Sequence, residues 1–530
     1  MQEDGDVAAS KIRIPLVRDH TPILVGAGQY VGRGTPTPEQ MLSPVEIATT
    51  AARRALADSG ASTELAAHVD TVAVVRLFEH SVPDTAMWPN PFGSSNNVPW
   101  SVAKRLGLNP RYAIYGEIGG QSPQRLVNTL AERIHAGEVR MALLTGAEAT
   151  ATIRDAMRRC VELDWREEVQ GDLEDDGPGT PFVTPYEFRH GIAWPIHVYA
   201  LFEQARRFER GLSLDACRAD IARLLEHFSA VAARHPYAQF PLAHDAAFLR
   251  TVTPANYLLC EPYTKWMVAQ DAVNQGAALV MTSVGAARAL GIPEARWIYL
   301  AGYGDVDDVT VLKRPHLASS QAQKLAVRTA LEAAAVGIAD IAYLDFYSCF
   351  PIAVLNIVES LGLPTDGTRA LTVTGGLPFF GGPGNNYSMH AIATMIECLR
   401  ADRDARGLIV ANGGYLSKHS AAVYSARFVG AWRPASSAAT QRYAGADTSI
   451  RVDETASGRA RIESYAAIFA KGVPAAGFVI ARMEADGARC MAQVARGDAA
   501  SLASLFEEKV IGRPIYVTRV KELHQFTVTS

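Results

Sequence analysis

The sequence predicts an α/β chain whose core is built twice, with an insertion between the copies and a small β-barrel appended. Three observations carry that expectation. An apolar strand ending in a Gly-x-Gly pair occurs twice, as PILVGAGQY (22–30) and WIYLAGYGD (297–305), and the same succession of elements follows each. The stretch from about 151 to 260 has no counterpart in the second copy. After Tyr424 the texture changes to short alternating strand candidates.

The elements follow in order. Fifteen residues after the second glycine of each pair stands a serine, Ser43 or Ser319. Ser43-Pro-Val-Glu46 reads as a capping box with proline at the first helical position, and Ser320-x-x-Gln323 is its counterpart. Each opens an Ala-rich helix, VEIATTAARRALADSG (45–60) or AQKLAVRTALEAAAVG (322–337), ending in glycine. A buried strand follows, VDTVAVVRLF (69–78) or IAYLDFY (341–347). GGQSPQRLVNTLAERIHAG (119–137) is a Gly-rich turn into a helix, with VRMALLTGAEA as the next strand. GGPGNNYSMHAIATMIECLRA (381–401) repeats that turn and helix, and GLIVANGGY (407–415) repeats the strand. The first half then spans 20–290 and the second 291–430. The insertion holds an acidic run, ELDWREEVQGDLEDDGPGT (162–180), and two helical stretches, VYALFEQARRFERG and DACRADIARLLEHFSAVAARH, arranged as a lid would be. Residues 431–449 read as a linker. Over 450–530 the segments ARIESYAAIF, AAGFVIARM, ARCMAQVA and PIYVTRV, with the helix SLASLFEE (501–508), predict an OB-like barrel.

Composition narrows the function. The 530 residues carry a net charge of −4, and 48% are hydrophobic. A nucleic-acid binder needs a basic face, so that class is disfavoured. No apolar run reaches the length of a membrane span. The acidic start MQEDGDVAAS does not resemble a secretory leader, and six scattered cysteines without CxxC predict free thiols and a cytoplasmic protein. Neither Gly-x-Gly strand end completes a dinucleotide fingerprint, because Val31 and Asp307 stand at the sixth positions. His190 and His197 lack the spacing of a metal pair, and no metal site is expected.

Four further stretches carry a resemblance. YLLCEPYTKWMVAQDAVNQGAALVMTS (257–283), DFYSCFP (345–351), GGLPFFGGPGNNYSMH (375–390) and VANGGY (410–415) stand in the order and spacing of motifs of the thiolase superfamily. The chain resembles its lipid-transfer-protein-thiolase branch over about 20–430. The resemblance implies a duplicated, five-layered α-β-α-β-α fold and an acetyl-CoA acetyltransferase-like activity. It also implies an acyl-CoA substrate with no permanently bound cofactor, and a homodimer. Family chemistry needs a cysteine nucleophile at a helix N-terminus, a histidine to activate it, a second acid/base and oxyanion holes.

At the matching positions this chain departs. The nucleophile falls on Gly120, the GHP histidine on Gly382, the CxG cysteine on Ala411, and the Asn or His of the NEAF/HDCF motif on Tyr347. The backbone amides of Gly120 and Gly413 match those of the family's hole for the thioester oxygen, and Cys349 matches the cysteine of HDCF. Tyr347, Cys349, Tyr387, His390 and His419 are the candidate catalytic residues; Gly120, Gly382 and Gly413 are the candidate ligand-binding ones. Each has a plainer reading: Cys349 as a buried thiol, the tyrosines as core, and Lys418 as a solvated surface lysine. The expectation is an acyl-CoA enzyme forming or cleaving a C–C bond by an aldol-type route. The alternatives are a non-catalytic acyl-CoA or lipid binder, and a scaffold acting through the barrel.

Overall fold

The computed structural model describes residues 18–82, 87–428, 432–435 and 450–528. Most of the expected linker 431–449 lies outside the described residues. The first half comprises β1 (Pro22–Val31), α1 (Pro44–Asp58), β2 (Thr71–Val74), α2 (Val98–Leu106), β3 (Tyr112–Tyr115), α3 (Ser122–His135) and β4 (Met141–Glu148). The chain between holds α4 (Thr150–Arg159), β5 (Glu174–Asp175), α5 (Pro185–Arg189), α6 (Pro195–Glu209), α7 (Leu214–Ala232), α8 (Ala246–Arg250), β6 (Leu258–Cys260) and β7 (Tyr263–Thr264). β8 (Gln275–Ser283) completes the first sheet and α9 (Val284–Ala289) leads out of it. The second half comprises β9 (Ile298–Asp307), α10 (Gln321–Ala333), β10 (Tyr343–Phe346), α11 (Pro351–Leu361), α12 (Tyr387–Ala401), β11 (Arg406–Gly413) and β12 (Lys418–Ser425).

The duplication is visible in the strand order. The first half runs β3-β2-β4-β8-β1 and the second β10-β11-β12-β9, with the same parallel and antiparallel pairings at matching positions. The edges β1 and β9 meet for two residue pairs, Ile23–Tyr299 and Leu24–Ile298, joining both halves into one sheet. α1 covers the outer face of the first half and α10 that of the second, while α3 and α12 pack against strands of both. This is the five-layered arrangement.

The paired glycines have a mechanical cause. A methyl at Gly26 or Gly28 would overlap carbonyls of Ala55 or Ala51 in α1, and one at Gly302 or Gly304 would overlap those of Ala330 or Ala326 in α10. They let helix and strand approach closely rather than admit a ligand. Ser43 caps α1 through a complete capping box, Glu46 N–H to Ser43 Oγ 3.2 Å and Ser43 N–H to Glu46 Oε2 2.7 Å. Ser320 caps α10, with Gln323 N–H donating at 3.1 Å. Each such cap stabilises by about 1 kcal/mol.

The C-terminal barrel is formed by β13 (Gly458–Ala470), β14 (Val473–Met483), β15 (Arg489–Val494), α13 (Ala499–Ser504), β16 (Pro514–Val520) and β17 (Leu523–Val528). Its strands close in the order β13-β14-β15-β17-β16-β13. It is fastened to the insertion. Cys260 of β6 pairs with Ile468 of β13, and Ser464 Oγ donates to Leu201 O at 2.6 Å. Arg489, fully buried, donates to the carbonyls of Leu312 and Arg314 at 2.8 and 2.7 Å while pairing with Glu463.

No helix among the described residues is long and apolar enough to cross a membrane. All six cysteines are free; Cys160 is exposed, Cys398 half-buried and the rest buried.

Candidate functional site

The two Gly-rich turns of the duplication face each other across the middle layer. In the first, Gly119 takes the left-handed φ of 130°, just before α3. In the second, Asn386 is the N-cap residue of α12. Gly119 N–H donates to Asn385 Oδ1 at 3.2 Å, and the Ser388 hydroxyl donates to Gly120 O. Asn385 Nδ2 in turn holds Arg76 O and Ser81 Oγ, both at 2.9 Å. The turns therefore fix each other through side chains far apart in sequence.

Tyr347 leaves the end of β10, its N–H bonded to Val410 O at 2.9 Å. A methyl added at Gly120 would overlap both the Tyr347 ring and its hydroxyl. The tyrosine thus fills the place where a side chain at 120 would project, and glycine there is required by its bulk. No protein group hydrogen-bonds the Tyr347 hydroxyl among the described residues, and burial holds its pKa well above the ordinary tyrosine value. The Gly120 N–H likewise makes no hydrogen bond there. Tyr347 keeps 7% of its surface and Cys349 9%, whereas Tyr387 keeps 1% and His390 none, so the first two border accessible space.

Tyr387 meets Tyr347 edge-on, ring centroids 5.4 Å apart, but its hydroxyl is committed. It bonds to Asp345 Oδ1 at 3.0 Å and Thr374 Oγ1 at 2.5 Å. Buried Asp345 also accepts from the hydroxyls of Thr372 and Thr374 and from the N–H groups of Val373 and Thr374, at 2.8–3.1 Å. A carboxylate with that many donors is a structural hub. Cys349 lies in hydrogen-bonding reach of Tyr199, and burial pushes its thiol up to about 12. Tyr199 stacks on Phe350 and donates to Asn412 Oδ1 at 2.9 Å.

The other candidates are drawn elsewhere. His390 is fully buried, with Nδ1 on Gln29 Oε1 at 2.8 Å and its ring against Phe380. His419 places Nε2 against Leu416 O at 2.9 Å and Ser320 Oγ at 3.2 Å. Burial pushes both imidazoles down to about 3, so neither is protonated near neutral pH. Gly382 donates its N–H to Gln270 O at 2.8 Å, and a side chain there would press on Ala269 and that carbonyl at 3.3 Å. Gly413 borders the Gly120 turn: a methyl on it would stand 2.8 Å from Gly120 N and overlap the amide oxygen of Gln121. Tyr347, Tyr387, Cys349, Gly120 and Gly413 therefore gather in one place, while His390, His419 and Gly382 are engaged with other partners.

One finding departs from the sequence expectations, and a second bears on the lid expected of the insertion. Lys418 is fully buried rather than solvated; its ammonium donates to Glu117 Oε2 at 3.1 Å, Ile118 O at 3.0 Å and Pro178 O. Glu117 also takes Arg125 at 2.6 Å, and Arg125 reaches Asp307 at 2.6 Å. The second finding is the use of the acidic run. Gly177 O accepts from Ile118 N–H at 3.3 Å, Thr180 Oγ1 donates to Asp307 at 2.6 Å, and Phe182 lies over Gly414 and Tyr415. The segment packs beside the turn, against Glu117, Ile118 and Asp307. No group of three or more metal-ligating side chains occurs among the described residues.

Among the described residues this arrangement offers an unpaired N–H and an unpaired hydroxyl beside each other, and no thiolate or imidazole poised to attack. It has no nucleophile at position 120.

Comparison with known proteins follows the same lines. The sequence over 441–522 matches the family model of the thiolase-like protein type 1 additional C-terminal domain. The chain is similar to a monomeric SCP2-thiolase-like protein type 1 from Mycobacterium smegmatis, with 37% identity over 97% of this chain and 100% of that one, and a TM-score of 0.83. It shares 16% identity with the Ltp2-ChsH2(DUF35) aldolase over 77% of this chain and 98% of that one, TM-score 0.56. It shares 15% with an acetyl-CoA acetyltransferase from Syntrophomonas wolfei over 77% and 99%, TM-score 0.54. These last two likenesses concern the fold alone. No curated protein matches the chain.

Proposed function

Since this chain belongs to the SCP2-thiolase-like protein type 1 family, we propose that it is an acyl-CoA-handling protein that holds a thioester at the Gly120–Tyr347 turn without forming an acyl-enzyme. One observation carries this reading: the Tyr347 hydroxyl has no partner among the described residues and stands where the side chain of residue 120 would project. A thioester carbonyl placed there accepts from the Gly120 N–H and the Tyr347 hydroxyl, which is a ready-made oxyanion site. The thiol of Cys349, pushed up to about 12, stays protonated and does not attack.

A second reading keeps the same site and adds an aldol-type step, with Tyr347 as the acid that protonates the new alkoxide. The raised tyrosine pKa favours the protonated hydroxyl that such a step requires. The two readings separate by turnover. A single chain is the favoured assembly: the strand Glu174–Asp175 pairs with β3 and so covers the edge that a homodimer pairing edge to edge would need free.

The test is calorimetric titration of the full chain with CoA and acetyl-CoA, repeated on Tyr347→Phe. The reading expects acetyl-CoA to bind more tightly than CoA, with that advantage reduced about tenfold in the variant, as the loss of one hydrogen bond to the carbonyl requires. Equal binding of CoA and acetyl-CoA by both proteins would refute it.

A further inference from the structure

Two side chains of the short helix α5 reach into the C-terminal barrel. His190, its C-cap residue, is fully buried. Its Nδ1 stands 2.8 Å from Tyr186 O, and its Nε2 accepts from the backbone N–H of His524 in β17 at 2.9 Å. A carbonyl oxygen only accepts and a backbone N–H only donates, so the two partners fix the ring as the Nδ1–H tautomer with a bare Nε2. One turn earlier, the Tyr186 hydroxyl accepts from Met491 N–H of β15 at 3.0 Å and lies 2.9 Å from His524 Nδ1. The three rings pack together, with centroids 4.3 Å apart for Tyr186 and His190, 5.2 Å for His190 and His524, and 5.6 Å for Tyr186 and His524.

An imidazolium does not fit this place. With both nitrogens carrying hydrogen, His190 would aim Nε2–H at the His524 N–H, and the bond across the contact would become two donors facing each other. His524 is no better placed: its Nε2 is buried without a partner among the described residues, so a doubly protonated ring has no acceptor there. The surrounding charges give little relief. On α5, Arg189 opposes a charge on His190, and both oxygens of Glu187 are taken by Thr184 N–H and Leu312 N–H. From β17, His524 opposes it as well. Arg519 of β16 opposes a charge on His524, Asp453 and Glu454 ahead of β13 favour one, and Cys490 of β15 faces Tyr186. Burial pushes both imidazoles below their ordinary value, so the contact is complete above about pH 6.5 and weakens as pH falls below it. The barrel's other ties, Arg489 to the carbonyls of Leu312 and Arg314 and Ser464 to that of Leu201, contain no histidine.

We propose that the contact between α5 and the barrel is a proton-sensitive latch: His190 holds β17 only while it is neutral, and its protonation frees α5 while the remaining ties keep the barrel on the chain. This stands whether or not the Gly120–Tyr347 turn holds a thioester. Thr184 caps α5, accepting from Glu187 N–H at 3.1 Å, and Phe182 just before it lies over Gly414. Release of α5 therefore loosens the segment that packs beside the Gly119–Gly120 turn.

The test is hydrogen exchange of the full chain at pH 7 and pH 5, corrected for the intrinsic rate and read by mass spectrometry in peptides covering α5 and β17. It is repeated on His190→Gln, whose amide oxygen reaches the place of Nε2 and accepts without titrating, and on His190→Met, which neither accepts nor titrates. The readout is the wild-type rise in exchange from pH 7 to pH 5 divided by the rise in His190→Gln, so acid effects elsewhere in the chain cancel. One proton taken up near pH 6.5 sets a ceiling of roughly 25-fold over that interval, and a ratio of at least about fivefold is expected. His190→Met should exchange at pH 7 as the wild type does at pH 5, a comparison that serves even if His190→Gln fails to fold. A wild-type rate that does not change with pH, or an equal rise in wild type and His190→Gln, would overturn the latch. Exchange in His190→Met no faster than wild type at pH 7 would overturn it too, by showing that His190 does not hold β17.

Discussion

The claim that Tyr347 occupies the space of a side chain at position 120 has a thermodynamic consequence. In Gly120→Ala the new methyl overlaps the tyrosine ring and hydroxyl, not a flexible chain end. The ring cannot swing freely, because Tyr387 lies edge-on beside it and is itself held by Asp345. Overpacking of that kind costs about 1–3 kcal/mol. Tyr347→Ala alone removes a buried aromatic and costs about 3–5 kcal/mol. In the double variant the methyl gains the room the ring vacates, so the combined loss should fall short of the sum by at least about 1 kcal/mol. Urea unfolding followed by tryptophan fluorescence reads each loss, with the glycine variant expected to shift the midpoint downward at unchanged slope. Additivity to within about 0.5 kcal/mol would refute the argument that these residues compete for one volume. Gly120→Cys extends the logic: with Tyr347 in place, the restored thiol has no room, and no acyl-enzyme should form.

Further consequences are open to direct measurement. His390 and His419 are pushed down to about 3 from an ordinary value near 6.5, so the folded chain favours their neutral forms and stability falls as pH drops below that ordinary value. At pH 5 each should have cost about 2 kcal/mol relative to pH 7, which a pair of urea titrations will show; equal midpoints at both pH values would contradict it. Arg489→Ala leaves two backbone carbonyls of the core without their donor, and Glu463 with Arg482 alone; the loss, about 1–3 kcal/mol for each orphaned carbonyl, should be read as faster proteolytic release of the barrel from the core. Cys349, its thiol pushed up to about 12, should alkylate far more slowly at pH 8 than exposed Cys160, and peptide mapping after a brief iodoacetamide pulse will rank them; faster labelling of Cys349 would indicate a thiolate that the buried setting forbids.

Much of the fold is legible because its signals are local. The Ser43 capping box, the Gly26-x-Gly28 and Gly302-x-Gly304 strand ends and the Ala-rich helices each depend on residues a few positions apart. What sequence reading missed depends on distant partners. β17 (Leu523–Val528) carries His524 and Gln525 within a short strand, and only its pairing with β15 and β16 makes it one. β6 and β7 join the barrel sheet through a single contact with β13, more than two hundred residues on. Lys418 looks like a surface lysine until Glu117, about three hundred residues earlier between β3 and α3, is brought beside it.

The candidate site shows the same division. The glycines at 120 and 413 were visible against the family pattern, and Tyr347 and Cys349 stood in a recognisable motif. Asp345 was visible in the same motif, yet nothing nearby announced that the Thr372–Thr374 segment would supply its donors.

The central claim is that an acyl thioester is held here without covalent transfer to the protein. Incubation with acetyl-CoA, followed by intact-protein mass spectrometry and by calorimetry on the same sample, tests it most directly. The account predicts saturable binding with the protein mass unchanged. Saturable binding accompanied by an added acetyl group that disappears in Cys349→Ala would contradict it.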